Sequence, residues 1–232
     1  MRAISPSLIA LPAPHIAARF PAGVAAFEAQ GPFTRDVLFD IEQSSVEHAV
    51  ESRVHEFVGG RMCARAALAQ LGLPPVSIPS GLDRAPVWPQ GFVGSISHSK
   101  GYCVAVAARV NNMEQGRSIA ALGVDVEQVG EVLPELWPQL MREEEIIGLQ
   151  SLDANARAVK ASLIFSAKEA FYKAQYSLTG EWVDFGDAAI EILENSFVLH
   201  IRNVDLPIAR HSLSFKGRFL VCPKHVVTAL AI

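Results

Sequence analysis

Several protein classes are excluded by what this chain has little of. Only three cysteines occur in 232 residues. Cys63, Cys103 and Cys222 are scattered, show no Cys-x-x-Cys spacing and do not form an even set, so they read as buried thiols in a reducing compartment, not as a disulfide framework or a zinc site. No hydrophobic run is long enough to span a membrane. The apolar amino terminus is broken by Pro6, Pro12, Pro14 and Pro21 and lacks the charged segment and unbroken apolar stretch of a leader, which makes the cytoplasm the expected location. Basic residues are not in excess: 20 Lys and Arg face 24 Asp and Glu, a net charge of −4. Nucleic acid therefore has no overall electrostatic attraction to the chain, and any anion site must be local.

What is present is core material. Half of the residues are hydrophobic, enough at this length for one large domain or two small ones. Residues 1 to about 35 are rich in proline and alanine and are expected to form an irregular arm with a short strand and turn. From about Ile41 to Leu71 the pattern is helical, with Val54, Phe57, Val58, Met62, Cys63, Ala66 and Leu68 facing inward and Gly59-Gly60 interrupting it, as a local kink or a close packing contact. A loop runs from Gly81 to Pro89. Phe92 to Ala108 reads as a hairpin turning at Ser99-Lys100-Gly101, and the polar stretch Asn111 to Arg117 is the expected junction between halves 1–117 and 118–232. Leu133 to Leu149 suggests one or two short helices, and Ala156 to Tyr176 a long one. Strands are expected at Ala188 to Leu199, Ser212 to Phe215, Arg218 to Pro223 and Val226 to Ile232.

Two stretches carry the chemistry. In Leu122-Gly-Val-Asp-Val-Glu127, a strand would point Val124 and Val126 to one face and Asp125 and Glu127 to the other. The two acids fit either an exposed edge strand or a hard-cation site. In Phe165-Ser-Ala-Lys-Glu-Ala-Phe-Tyr-Lys173, Leu163, Ala167, Ala170 and Phe171 form an apolar helix face, while Glu169 and Lys173 lie one turn apart on another. By themselves these two could be an ordinary surface pair; with Asp125 and Glu127, Glu169 becomes a third carboxylate for a metal that keeps positions open for a phosphate.

The combination resembles the Sfp-type 4'-phosphopantetheinyl transferases, in particular the subgroup like enterobactin synthetase component D. That family carries a Gly-hydrophobic-Asp-hydrophobic-Glu strand and, some tens of residues later, a helix of the form aromatic-Ser-x-Lys-Glu-x-x-x-Lys. Arg53 to Arg65, Arg84 to Pro89 and Gly94 to Ser99 match further stretches, so five ordered motifs are spread over about half of the chain. The resemblance implies an α+β fold in which two similar α/β halves form an intramolecular pseudodimer with the active site between them. A weak echo between Ser97–Ala108 and Phe215–Ile232 fits a duplication.

The implied activity is magnesium-dependent transfer of the phosphopantetheine arm of coenzyme A to a serine of an apo acyl or peptidyl carrier protein, releasing adenosine 3',5'-bisphosphate, by a monomer. By resemblance Asp125, Glu127 and Glu169 bind magnesium. Glu169 is the expected base, directly or through a metal-bound water, with Glu127 as the alternative; Val126 between the acids supplies no ligand. Lys168 and Lys173 would hold the diphosphate, though Lys168 projects about 100° away from Glu169 around a helix. Ser97 and His98 match a phosphate-contacting pair. Arg53 and Arg61 would bind the 3'-phosphate, for which a guanidinium fork is suited, although both could equally be solvated helix charges. Arg84, in the loop before Pro86, would flank the adenine and its ribose phosphate. Because the chain is acidic, carrier recognition would rest on a local surface, and Val129 to Met141, with Val132, Leu133, Leu136, Leu140 and Met141, is the candidate; the same residues could instead be core. Two other classes share these features: a magnesium-dependent nucleotide phosphohydrolase and a non-catalytic carrier-binding module. A serine hydrolase is disfavoured, since no Gly-x-Ser-x-Gly elbow occurs.

Overall fold

Ala25–Gln30 contains no β-branched residue, yet it forms a strand in the middle of a sheet. In the computed structural model, which describes residues 10–110 and 118–232, the chain runs through β1 (Leu11–Pro12), helix α1 (Pro14–Ala17) and β2 (Ala25–Gln30). The short helix α2 (Asp40–Gln43) precedes the long α3 (Glu51–Gln70), after which β3 (Phe92–Ser99) and β4 (Tyr102–Arg109) form a hairpin. These strands make a four-stranded sheet in the order β1-β2-β4-β3. The amino-terminal arm is thus more regular than its prolines suggest. Its alanines pair through their backbone, from Ala25 opposite Ala107 to Gln30 opposite Tyr102, and Ala25 and Ala29 are buried in the core against α3. The hairpin turns where expected: Lys100 and Gly101 both have positive φ, 45° and 82°, the requirement of a tight two-residue connection.

Gly59-Gly60 does not interrupt α3. A Cβ at Gly59 would lie 2.6 Å from the Cys103 sulfur, and one at Gly60 2.6 Å from a methyl of Ile96. The pair therefore marks a close helix-to-sheet approach that any larger residue would prevent. Cys63 and Cys103 are fully buried within this core and Cys222 is partly buried. Burial pushes both core thiols up, Cys103 to about 12, which keeps them protonated and inert.

The described chain resumes with β5 (Leu122–Gln128), then a 3₁₀ turn at 134–136, α4 (Trp137–Leu140), α5 (Glu143–Gln150) and α6 (Ala154–Thr179). Strands β6 (Ala188–Ile192), β7 (Ser196–Ile201), β8 (Ser214–Val221) and β9 (His225–Ala231) follow and build a five-stranded sheet in the order β5-β9-β8-β7-β6. The expected strand at 188–199 is split by a turn, whereas the two expected at 212–223 are one, passing through Gly217 without a break. Helix α6 is set by its ends. The Asp153 carboxylate accepts from the amides of Asn155 and Ala156, both at 3.0 Å, and Gly180 closes the helix in the left-handed region, φ 67°. Its expected apolar face is buried: Leu163, Ala167, Ala170 and Phe171 are at most 4 % exposed. Ser166 and Thr228 add a buried hydroxyl pair, 2.9 Å apart, between the helix and β9.

The architecture is α+β, in two units: Met1–Leu122 and Gly123–Ile232. The junction expected at Asn111 to Arg117 lies outside the described residues. No helix among the described residues is long and apolar enough to cross a membrane.

Candidate active site

Strand β5 reaches helix α6 because residue 123 is glycine. A Cβ there would stand 2.7 Å from the carbonyl carbon of Ala170, nearer still to its oxygen, and 3.2 Å from the Ala174 methyl. The backbone of the strand thus touches the backbone of the helix. Alternation places Asp125 and Glu127 on the same face as Gly123, turned to α6, and sends Val124 and Val126 to the opposite one. Asp125 is 2 % exposed, and its Oδ1 accepts from Lys173 Nζ at 2.6 Å. Lys173 also reaches the Val124 carbonyl at 3.5 Å. The pair seen here is thus between helix and strand, and Glu169 stands one helical turn before the same lysine.

The electrostatics of the cluster are those of crowded acid. Burial, and then repulsion from Asp125, push the Glu127 carboxyl up to about 8; Glu169 and Glu131 add to the rise and Lys173 opposes it. Burial likewise holds Glu169 above the usual carboxylate range, with Asp125 adding and Lys173 opposing. Among the described residues, no three His, Cys, Asp or Glu side chains stand as a ready-formed metal cage. The donor set nevertheless suits a hard divalent cation. Three carboxylates within electrostatic reach of one another, partly compensated by one ammonium, are relieved by a second positive charge. Beside Glu169 opens a mainly apolar groove of about 240 Å³, lined by Tyr172, Trp182, Phe185 and Phe171. Trp182 is 76 % exposed and stacks on Tyr172 with ring centroids 4.9 Å apart. Its loop is held by Gln175, whose amide donates to the Glu181 carbonyl at 2.9 Å.

The amino-terminal unit has a groove of another character, about 510 Å³ and polar, lined by Ser44, Ser45, Arg53, Phe57, Ser80 and Arg84. Arg53 and Arg84 bring two guanidinium groups to it, Arg84 from a left-handed backbone position, φ 68°. Arg53 Nη1 lies 3.0 Å from His98 Nε2 and 3.4 Å from Glu56, and His98 Nδ1 is 3.4 Å from the same carboxylate. Arg61 lies deeper. It stacks on the Phe57 ring at 4.1 Å, donates from Nε to the Ile78 carbonyl at 2.7 Å and from Nη2 to the Ser80 hydroxyl at 3.2 Å. Burial lowers its pKa to about 10 against the opposing pull of Glu42, so it stays charged near neutrality.

Comparison with known proteins identifies both regions. Residues 41–108 match the family model of the 4'-phosphopantetheinyl transferase N-terminal domain, and residues 121–225 that of the 4'-phosphopantetheinyl transferase superfamily. The chain is 37 % identical over 200 residues to the 4'-phosphopantetheinyl transferase Svp of Streptomyces mobaraensis, covering 84 % of this chain and 79 % of that protein. It is 35 % identical over 201 residues to the transferase Npt of Nocardia iowensis, covering 82 % and 87 %. The enterobactin synthase component D of Salmonella typhi is 31 % identical over 153 residues, 64 % of this chain and 59 % of that one. The chain belongs to the 4'-phosphopantetheinyl transferase superfamily.

Within this superfamily member, the expected site residues divide. Asp125, Glu127, Glu169 and Lys173 come together, and so do Arg53 and His98 beside Arg84. Lys168 does not join the carboxylates. It is 3 % exposed, and its ammonium donates to Glu145 at 2.7 Å, the Phe185 carbonyl at 2.9 Å and the Leu140 carbonyl at 3.2 Å. Those three bonds use all of a lysine's donors, so in this structure none is directed at a diphosphate. Ser97 and His98 are consecutive on β3 and so face opposite ways; Ser97 is buried, 3 % exposed, while His98 turns to α3. In the segment expected to meet the carrier, Leu133 and Leu136 are 53 % and 41 % exposed, but Val132 and Met141 are buried at 7 % and 5 %. The face is therefore split, and Met141 belongs to the core. The sequence reading missed the Trp182 groove, whose available signal was the Tyr172–Tyr176 spacing ahead of an aromatic in a loop. It also missed Ser80 and Glu145, which local pattern does not mark.

Proposed function

We propose that this chain transfers the 4'-phosphopantetheine group of coenzyme A to a serine of an apo acyl or peptidyl carrier protein, releasing adenosine 3',5'-bisphosphate, with Asp125, Glu127 and Glu169 holding magnesium. The observation that carries the reading is the carboxylate cluster: Gly123 presses β5 against α6 and gathers Asp125, Glu127 and Glu169 around Lys173, inside the segment matched by the superfamily model. A bound magnesium ion supplies charge neutralisation at the diphosphate. Lys173 holds Asp125 in place and adds a positive charge for the phosphates. Glu169 is the proton acceptor for the serine hydroxyl, with Glu127 as the alternative; for either, the carboxylate must be ionised to accept a proton, which cation binding favours by offsetting the repulsion described above.

The amino-terminal unit is the nucleotide-binding one in this reading. Arg53, Arg84 and His98 contact the 3'-phosphate and adenine, Arg61 supports the Ile78–Ser80 segment from beneath, and the polar groove volume suits a phosphorylated nucleoside. The apolar groove at Tyr172 and Trp182 suits the pantetheine arm, which carries no charge. Leu133 and Leu136 offer the exposed part of a carrier-docking surface. Both substrates are soluble, and the cytoplasm is the proposed compartment.

The test follows the small product. Chromatography of a reaction containing coenzyme A, magnesium chloride and an apo carrier should show adenosine 3',5'-bisphosphate formed in proportion to carrier and to neither component alone. Release of inorganic phosphate without carrier would support a phosphohydrolase instead.

A further inference from the structure

Two buried ion pairs, one in each unit, repeat the same construction. In the first, Glu42 accepts from Arg65 at 2.9 Å, from the Ile78 amide at 2.7 Å and from the Phe39 amide at 3.0 Å, and Arg65 also donates to the Val37 carbonyl at 2.8 Å. In the second, Glu145 accepts from Lys168 at 2.7 Å, from the Ile190 amide at 2.7 Å and from the Arg142 amide at 2.7 Å, and Lys168 also donates to the Leu140 carbonyl at 3.2 Å. The spacings coincide. Acid and base are 23 positions apart in both units, base and carbonyl 28 in both, acid and capped amide 3 in both. Both carboxylates are buried, 0 % and 6 % exposed. Each pair thus joins the start of a short helix to the long helix and to the backbone of the segment that follows it.

The shared geometry explains why a lysine next to Glu169 has no bond directed at a phosphate: its counterpart Arg65 stands where no catalytic carboxylate follows it. Lys168 has one partner beyond the common set, the Phe185 carbonyl. Phe185 packs on Phe165 with centroids 5.6 Å apart and forms part of the groove beside Glu169. We infer that Lys168 is a positioning residue, paired with Glu145, that fixes the Phe185 wall of this groove and the α4–α5 segment relative to the helix bearing Glu169, and that it does not bind the diphosphate. The inference deepens the transferase reading and rests on it.

The test uses the intact 232-residue chain and variants Lys168→Met, Lys168→Arg, Glu145→Gln and Lys168→Met with Glu145→Gln, assayed at 15 °C, with thermal unfolding recorded for each. The probe for the phosphate end is adenosine 3'-phosphate 5'-diphosphate, the nucleotide of coenzyme A without pantetheine. Lys168→Met should bind this probe within about threefold of the parent while its transfer rate falls by tenfold or more. Glu145→Gln should reproduce that pattern, the double variant should be no slower than the slower single one, and Lys168→Arg should recover at least half of the parent rate, since the first unit uses arginine at the same place. A tenfold loss of probe affinity in Lys168→Met with Glu145→Gln unaffected would overturn the inference and place the lysine on the diphosphate. A lowered melting temperature with an unchanged rate at 15 °C would overturn it too, leaving the pair a role in stability alone. If the parent itself transfers nothing, the transferase reading fails, a result distinct from either.

Discussion

Replacing Gly123 by alanine tests the contact on which the site is built. The added methyl carbon would start 2.7 Å from the Ala170 carbonyl carbon, whereas non-bonded carbons rest at about 3.5–4.0 Å. Strand and helix must therefore separate by about 1 Å, and because the obstacle is backbone, no side-chain rotation relieves it. Overpacking of this kind costs about 1–3 kcal/mol, which for a chain of this size lowers the melting temperature by roughly 2–12 °C at about 2–4 °C per kcal/mol. The catalytic consequence is larger. Asp125 and Glu127 ride on the strand while Glu169 and Lys173 ride on the helix, and a misplacement of about 1 Å costs on the order of a hundredfold in rate. The assay is carrier modification at saturating coenzyme A and magnesium, 20 °C below the variant's own melting temperature. A variant that keeps its rate within about threefold of the parent, less than 1 kcal/mol, would show that the strand-to-helix approach does not set the site's geometry.

Glu169→Gln, which keeps shape and removes charge, should lose several kcal/mol of transition-state stabilisation, and retention of activity within about threefold at saturating magnesium would remove Glu169 from the site. Because the Glu127 carboxyl is pushed up to about 8 from 4.5, and Glu169 is raised as well, the folded metal-free protein binds protons better than the unfolded chain. These groups should therefore lower its stability as pH rises through that interval. Magnesium, which needs the ionised carboxylates, should raise the melting temperature more at pH 8 than at pH 5.5; an equal shift at both would place the ion elsewhere. Arg84→Ala should weaken coenzyme A relative to dephospho-coenzyme A by about 1.5–3 kcal/mol, one charge-assisted bond, seen by calorimetry as a selective loss; equal weakening of both ligands would remove it from the 3'-phosphate. Leu136→Ala should raise KM for the carrier and not for coenzyme A, whereas Met141→Ala should lower the melting temperature by opening a cavity; the reverse assignment would refute the division of that segment.

The parts of the fold that were legible in the sequence are those encoded locally. Helix α6 shows an apolar face at helical spacing, an Asp153 cap and a Gly180 stop, and the β3–β4 hairpin carries its turn residues. Strand β2 was legible only as a short strand without a place in the arm, because alanines have weak strand preference and Ala25–Gln30 is held by pairing with β4 far along the chain. Gly59-Gly60 fits a kink or a close packing contact, and the residues that decide for the contact, Cys103 and Ile96, are also distant in sequence. The same limit applies to the site. Asp125, Glu127 and Glu169 stand in alternating and helical patterns that expose them as acids in unusual company, but the occupation of Lys168 by Glu145 depends on a partner 23 residues away and on four backbone groups, the carbonyls of Leu140 and Phe185 and the amides of Arg142 and Ile190, that no side-chain pattern marks. Met141 likewise follows Leu133, Leu136 and Leu140 closely in sequence, but it stands just past the end of α4 in extended backbone, φ −133°, which turns its side chain away from the exposed leucines and into the core.

The central claim is most directly tested by the mass of the acceptor. An apo carrier protein incubated with this protein, coenzyme A and magnesium should gain the mass of one phosphopantetheine group at its serine, and should gain nothing when magnesium is chelated or when Glu169→Gln replaces the parent. An unchanged carrier mass in the presence of the folded parent and both cofactors, across carriers from fatty acid and peptide assembly, would contradict the account.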